Sequence, residues 1–227
     1  HAHAWAKQHQ VIKLDANDID ARLDELDVLL LCNPNNPSGE RFAPDTLLSW
    51  QRRLAARGGW LVADEAFIDA EPRLSIARRT GDEGLIVLRS PGKFFGLAGA
   101  RVGFVAAWPA LLTQMRETLG PWTINGPARA ITRLALQDSV WQQQTREQLQ
   151  RDSARLAALL AQHSLAPTGG SALFQWIRTD RATPLHEALA RQGILTRLFG
   201  EPASLRFGLP GNEDEWNQLK IALEKLA

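Results

Sequence analysis

The chain has 227 residues, which corresponds to roughly 1.5 domains and is long enough to bury a sizeable core. Hydrophobic residues make up 44% and charged residues 22%, a composition that excludes a disordered chain. The 26 basic and 25 acidic side chains leave a net charge of +1, so nothing indicates nucleic acid or an anionic membrane as a partner. Every apolar run is much shorter than the roughly 18 residues that a membrane-spanning helix needs. The single cysteine, Cys32, is typical of a reducing compartment, and we expect a cytoplasmic protein.

The first half alternates short apolar strands with helices, the pattern of a mostly parallel sheet with crossover helices. Residues 3–9 are predicted to end a helix, and two further helices are predicted at 44–57 and 109–119. Strands are predicted at residues 11–14, 27–32, 60–63, 84–88 and 101–107. The run DVLLLC at 27–32 is almost continuously apolar, as expected of a strand that is covered on both faces.

The second half is helix-rich at first and then mixed. A long helical run is predicted at 127–163, followed by strands at 173–178, 194–198 and 205–207 and by helices at 184–192 and 213–226. Asn212 is the expected cap of the last helix. We therefore predict an α/β fold with a large domain at 1–130, and a linking helix with a small α+β domain at 131–227. Because the chain starts at His1 and opens within a helix, we expect the large domain to be truncated at its N-terminus.

Three segments place chemically useful residues after successive strands. They are NPNNPSG at 33–39, DEAF at 64–67 and SPGKFFGLAGAR at 90–101. Ligands of open α/β sheets bind beyond the carboxyl ends of the strands, so these segments are expected to meet at one edge. Taken singly, Asn36 could be a turn residue, Asp64 a helix cap and Lys93 a solvated lysine. Their order and shared location favour a functional site, and Lys93 is the only lysine between Lys13 and Lys220.

These motifs, together with the C-terminal SLRFGLPGNEDEW, resemble the fold-type I pyridoxal-phosphate enzymes, and within them the histidinol-phosphate aminotransferase branch. The resemblance covers nearly the whole chain. It implies the aspartate aminotransferase-like fold, pyridoxal 5'-phosphate as cofactor, a cofactor-binding large domain and a homodimer. It also implies a small-molecule substrate, with no nucleic acid and no membrane as partners.

The resemblance assigns the two catalytic positions. Lys93 would be the lysine that forms the Schiff base, and the neighbouring glycines would let the backbone approach the cofactor closely. Asp64 would face the pyridine nitrogen and keep it protonated. Glu65 is the competing acid, but adjacent strand residues point to opposite faces, so only one of the two can serve.

Further residues would bind the cofactor. By the same resemblance, Asn36 would donate a hydrogen bond to the ring 3-oxygen, while Ser90 and Arg101 would hold the cofactor phosphate. The SPGK segment replaces the commoner SxSK pattern and thereby lacks one hydroxyl near that phosphate.

The substrate contacts are expected in the second half. Arg206 in SLRFG would clamp a substrate carboxylate or phosphate with two parallel hydrogen bonds. Arg197 is either a second anion contact or a surface arginine. Asn125 matches a family position near the substrate, and a helix-cap role is equally compatible with its place. No metal site is predicted, because the histidines His1, His3 and His9 lack ligand spacing and a nearby acidic residue.

One departure bears on the reaction type. Aminotransferases of this branch carry DEAY, whereas this chain has Phe67 at the last position and contains no tyrosine. DEAFID and GKFFGLAGARVGF are most similar to the L-threonine-O-3-phosphate decarboxylases of cobalamin biosynthesis, which implies a lyase acting on a phosphorylated amino acid. A histidinol-phosphate-type aminotransferase is the alternative. A non-catalytic effector module, such as that of a transcription regulator, is a third, although no basic reader helix is visible.

Overall fold

The structure of the protein, a computed structural model, describes residues 1–226. The α-helices are α1 (Ala2–Trp5), α2 (Ile19–Arg22), α3 (Pro44–Ala55), α4 (Pro109–Leu119), α5 (Gly126–Gln137), α6 (Ser139–Gln162), α7 (Ala182–Ala190) and α8 (Glu213–Glu224). The strands are β1 (Val28–Cys32), β2 (Trp60–Asp64), β3 (Leu85–Arg89), β4 (Phe104–Ala106), β5 (Gly169–Ser171), β6 (Phe174–Arg178), β7 (Arg197–Phe199) and β8 (Ser204–Gly208). Within the described residues, no helix is both long and apolar enough to cross a membrane.

The first sheet is mixed and mostly parallel. Its order is β1-β2-β3-β4, with β4 alone running antiparallel to its neighbour. Apolar side chains from β1, β2 and β3 are buried against α3, whose Leu47 and Leu54 are fully inaccessible to solvent. The parallel register places Cys32 opposite Asp64 at the carboxyl ends of β1 and β2. The predicted α/β class and mostly parallel sheet are therefore confirmed.

The second sheet is antiparallel throughout, in the order β5-β6-β8-β7. Its core is formed with α6, α7 and α8, where Leu156, Leu189 and Leu205 are buried. Asn212 caps α8 as predicted, because its side chain accepts a hydrogen bond of 2.9 Å from the Glu215 N–H. The predicted helical run at 127–163 is interrupted at Asp138, whose side chain caps α6.

Several predicted strands are wrong or displaced. Residues 11–14 form no strand, and Val11 and Ile12 are 42% and 44% exposed, so this short apolar run has no sheet to cover it. The fifth predicted strand is reduced to β4, and the strand predicted at 194–198 is found instead as β7. Strand β5 was not predicted, because its Gly-Gly-Ser sequence has little strand propensity.

The two sheets approach each other closely at two glycines. Gly39, at the end of NPNNPSG, has φ +73°, and a Cβ there would lie 1.8 Å from the Gly170 carbonyl oxygen of β5. Arg41 donates hydrogen bonds to the carbonyl oxygens of both Gly39 and Gly170. The loop after β1 is therefore pressed against the second sheet. The predicted division at residue 130 stays a prediction, with one sheet on each side of it.

Candidate active site

The carboxylate of Asp64 lies at the carboxyl end of β2, with its side chain only 17% exposed. Burial raises its pKa, against the opposing effects of the hydrogen bond from the Ala66 N–H, the charge of the N-terminal amine and the charge of Lys93. The backbone turns immediately after the strand, and Asp64 Oδ1 accepts from the Ala66 N–H at 2.9 Å. Asp64 thus places a half-buried carboxylate within reach of the positive charge of Lys93, the lysine that the motif singles out.

Glu65 points away from this site. Its side chain is fully buried, where it accepts hydrogen bonds from the Ser75 hydroxyl at 2.5 Å and from the Ile76 N–H at 2.8 Å. The Arg89 guanidinium lies 3.5 Å from the same carboxylate. Burial raises the pKa of Glu65, and these contacts partly offset that effect. The two neighbouring acids therefore occupy opposite faces of the strand end, as expected from strand geometry.

Lys93 lies in the glycine-rich loop after β3, and it is exposed. Its Nζ atom is 5.6 Å from the centroid of the Phe67 ring. The loop turns tightly at Gly92, whose N–H donates to the Ser90 Oγ atom at 3.2 Å. The Ser90 hydroxyl is thereby held at the end of β3, where its O–H remains available to a ligand.

Arg101 ends the same loop in a strained backbone conformation. Its φ of 54° lies in the left-handed region, which is uncommon for a residue other than glycine. Its guanidinium is exposed and donates to the Ala98 carbonyl oxygen at 3.2 Å. Strained residues of this kind occur often at ligand sites, and its predicted role toward a phosphate stays a prediction.

Asn36 and Arg206 are in direct contact across the two sheets. Arg206 Nη1 donates to Asn36 Oδ1 at 2.6 Å, although the two residues are 170 positions apart. The Arg206 guanidinium also lies over the Phe174 ring, 5.0 Å from its centroid. Burial lowers the pKa of Arg206, and Arg197, directly opposite on β7, lowers it further. The predicted anion-binding arginine therefore joins the predicted cofactor-binding asparagine.

Asn125 is engaged as a helix cap. Its side chain accepts a hydrogen bond of 2.9 Å from the Ala128 N–H at the start of α5. Of the two roles that the sequence left open for Asn125, the structure shows the helix cap, and a contact with substrate stays a prediction.

The histidine at the start of the chain has an unforeseen partner. His1 Nε2 lies 2.6 Å from Asp64 Oδ2, so the expectation that this histidine has no nearby acidic residue is wrong. The ligand atoms of His1, Cys32 and Asp64 lie within 4.8 Å of one another. Burial, followed by the charge of Asp64, raises the pKa of the Cys32 thiol to about 11. No sequence spacing could have revealed this cluster, since its members come from separate segments.

The set of side chains at this edge matches the functional groups of pyridoxal phosphate. A half-buried carboxylate suits a protonated ring nitrogen, an exposed amine suits the aldehyde, and an amide suits the ring oxygen. The hydroxyl of Ser90 and the guanidinium of Arg101 are phosphate ligands by type. The residues present therefore fit this cofactor.

Comparison with known proteins identifies the family of the chain. Residues 4–226 match the model of the aminotransferase class I and II family, and the chain belongs to that family. It is similar to a threonine-phosphate decarboxylase from Pseudomonas aeruginosa, with 53% identity over 98% of this chain and 68% of that protein.

Solved structures show the same fold. A histidinol-phosphate aminotransferase from Clostridium acetobutylicum superposes with a TM-score of 0.84 at 20% identity, covering 96% of this chain and 69% of that one. A second, from Sinorhizobium meliloti in complex with pyridoxal-5'-phosphate, gives 0.80 at 21% identity over 93% and 60%. At these identities the two structures establish the aspartate aminotransferase-like fold, as the motifs predicted.

Proposed function

We propose that the protein decarboxylates L-threonine O-3-phosphate to (R)-1-aminopropan-2-yl phosphate with pyridoxal 5'-phosphate as cofactor. The observation that carries this proposal is the pair of arginines beside the candidate site. Arg197 and Arg206 lie opposite each other on β7 and β8, and within residues 1–226 neither forms an ion pair with an acidic side chain. Two adjacent cations repel unless anions join them, and this substrate carries a carboxylate and a phosphate. The similarity to a threonine-phosphate decarboxylase supports the same substrate.

Each side chain of the site then has a distinct task. Lys93 would attach the cofactor, Asp64 would keep its ring nitrogen protonated, and Asn36 would donate a hydrogen bond to its ring oxygen. The cofactor, when bound, takes up the electron pair of the bond that breaks. Arg206 would orient the substrate so that the bond from Cα to the carboxylate stands perpendicular to the ring. After carbon dioxide leaves, the Lys93 amine would deliver a proton to Cα.

Two further ligands complete the cofactor site. Ser90 and Arg101 would hold the cofactor phosphate, and the glycines between them would let the loop close on it. Asn125 would contact the substrate only if its capping amide shared a second hydrogen bond.

The decisive experiment separates the two reaction types. Incubated with cofactor and L-threonine O-3-phosphate, the protein is expected to release carbon dioxide and an amine phosphate in equal amounts, with no keto acid required. The aminotransferase alternative instead predicts glutamate from histidinol phosphate and 2-oxoglutarate. Glutamate formation without carbon dioxide release would overturn the decarboxylase proposal and leave the family assignment intact.

The attachment of the cofactor can be tested independently. After borohydride reduction and peptide mapping, we expect the pyridoxyl group on Lys93, because its charge acts on Asp64 and it is the single lysine between Lys13 and Lys220. Lys7 and Lys220 serve as internal controls. A label on either of them would contradict the assignment.

We also propose that the protein forms a homodimer in the cytoplasm, with 1–130 binding the cofactor and 131–227 forming the linking helix and small domain. Large apolar side chains are exposed around α5 and the start of α6, among them Trp122 at 92%, Leu134 at 62% and Val140 at 66%. A second copy would cover such a surface. The free thiol of Cys32 suits a reducing compartment. Light scattering that returns a monomer would contradict the dimer.

A further inference from the structure

Two phenylalanines connect the lysine and the arginine of the site. Phe67 follows β2, and its ring lies beneath Lys93 Nζ. Phe174 begins β6 in the second sheet, and its ring meets Phe67 edge-on, with centroids 5.4 Å apart. The Phe174 ring also contacts the guanidinium of Arg206, which lies over it. The order is therefore Lys93, Phe67, Phe174, Arg206, with the last two residues contributed by the second sheet.

An arginine that binds an anion must be held in place while its N–H groups stay free, and this applies to Arg206. It is partly buried, directly opposite Arg197, and its only hydrogen-bonded side chain within the described residues is Asn36. An acidic partner would hold it firmly but would occupy the N–H groups that an anion needs. An aromatic ring contacts the face of a guanidinium and leaves its N–H edges free. Phe174, which is 3% exposed, supplies such a face on a buried and rigid support.

We infer that Phe174 is a positioning residue for Arg206. Its ring holds the guanidinium face-on, and Phe67, which follows β2 of the first sheet, holds the Phe174 ring in place. This inference rests on the proposed function, since it gives Arg206 its orientation toward an anionic substrate. It also gives Phe67 a role, the edge contact with Phe174. That role does not require the hydroxyl of the tyrosine that aminotransferases of this branch carry at the same position.

The test compares Phe174→Leu with a matched variant, Phe207→Leu. Phe207 is the next residue after Arg206, is equally buried at 2% exposure, and belongs to the core of the second sheet rather than to the site. Both variants lose a buried ring. Only Phe174→Leu loses the contact with Arg206, and we expect it to raise KM for threonine phosphate about five- to tenfold and to lower kcat as well, because a displaced Arg206 no longer holds the scissile bond perpendicular to the ring. Phe207→Leu is expected to lower the melting temperature and leave KM unchanged.

A spectroscopic measurement tests the same contact without turnover. The Nε–Hε cross peak of Arg206, assigned by its loss in Arg206→Lys, is expected to show the upfield shift of a proton above an aromatic face. That shift should vanish in Phe174→Leu and persist in Phe207→Leu. In addition, titration with inorganic phosphate should move this peak at lower concentration in the wild type than in Phe174→Leu.

The outcomes separate the two proposals. If the two leucine variants raise KM equally, or if the Arg206 peak is the same in both, Phe174 has no positioning role. If the wild type releases no carbon dioxide from threonine phosphate, the proposed function fails. The cross peak and the phosphate titration then decide the positioning of Arg206 by themselves.

Discussion

The close approach of Gly39 to the second sheet gives a prediction whose size follows from the structure. In Gly39→Ala, the new Cβ would lie 1.8 Å from the Gly170 carbonyl oxygen and 2.6 Å from its nitrogen. Both obstacles are backbone atoms, so the loop and β5 must separate. The left-handed backbone, with φ +73°, costs about 1–2 kcal/mol for alanine, and overpacking costs about 1–3 kcal/mol more. We therefore expect Gly39→Ala to lower the free energy of unfolding by roughly 2–5 kcal/mol.

Gly58 provides the matched control for this prediction. Its φ is +74°, and a Cβ there would meet no atom within 4 Å. Gly58→Ala therefore carries the backbone cost alone, about 1–2 kcal/mol. Urea denaturation followed by tryptophan fluorescence measures both variants, and a difference of about 2 kcal/mol at a slope near 2 kcal/mol/M is about 1 M in the midpoint.

The same substitution should also affect the site. Gly39 ends the loop that carries Asn36, so separating the loop from β5 weakens the hydrogen bond between Asn36 and Arg206. We expect Gly39→Ala to raise KM for the substrate, whereas Gly58→Ala leaves it unchanged. Equal losses of stability in the two variants would refute the argument, because the contact between the glycines would then contribute nothing.

Three further predictions concern titratable side chains. Asp64→Asn should lower the rate of carbon dioxide release by about 10²–10³, measured with saturating cofactor, and near-normal turnover would contradict its role. The Cys32 thiol, whose pKa burial raises to about 11, should react slowly with a disulfide reagent at neutral pH, and faster in Asp64→Asn because that change removes a nearby negative charge. Since burial raises the pKa of Glu65 above its ordinary 4.5, the folded chain retains this proton where the unfolded chain has lost it, so stability falls as pH rises from that value through the folded pKa. Glu65→Gln should flatten this fall in urea denaturation between pH 4 and 8, and an unchanged slope would contradict the assignment.

The sequence predicted the first sheet well for a physical reason. Strands β2 and β3 each have three consecutive buried residues, and in β1 buried residues alternate with half-buried ones. Strands covered in this way require nearly continuous apolar runs, which are visible without a structure. Helix α8 was equally readable, because Asn212 is a strong capping residue at its start. In both cases the local sequence and the tertiary environment favour the same conformation.

The errors arise where tertiary contacts decide. Val11 and Ile12 have strand propensity but no neighbouring strand, whereas β5 is a strand of glycines that exists because β6 pairs with it. Leu195 is 85% exposed, so the strand predicted around it begins only at Arg197. Propensity is a weak predictor at the edges of a sheet, where β5 and β7 lie, and outside a sheet, where Val11 and Ile12 lie.

The site shows the same limit in sharper form. The motifs predicted which residue types are present, but not that Arg206 would contact Asn36 or that Phe174 would lie beneath it. The first of these contacts joins the two sheets. A local sequence pattern cannot predict a contact between residues that lie 170 positions apart in the chain, as Asn36 and Arg206 do. The resemblance supplied Arg206 as an anion contact, while its support by an aromatic ring required the structure.

The proposed reaction type depends on the substrate contacts of the second sheet rather than on the cofactor contacts of the first. The amine, carboxylate and amide of the first sheet are compatible with either decarboxylation or amino transfer, because both reactions need the same cofactor contacts. The choice depends on which bond of the substrate is held perpendicular to the ring, and the anion-binding groups set that angle. The predicted anion-binding residues of this chain, Arg197 and Arg206, lie on β7 and β8, and Arg206 contacts both Asn36 and Phe174. Under the proposed function the second sheet selects the bond that breaks, so we expect substitutions there to alter the ratio of products before they abolish cofactor binding.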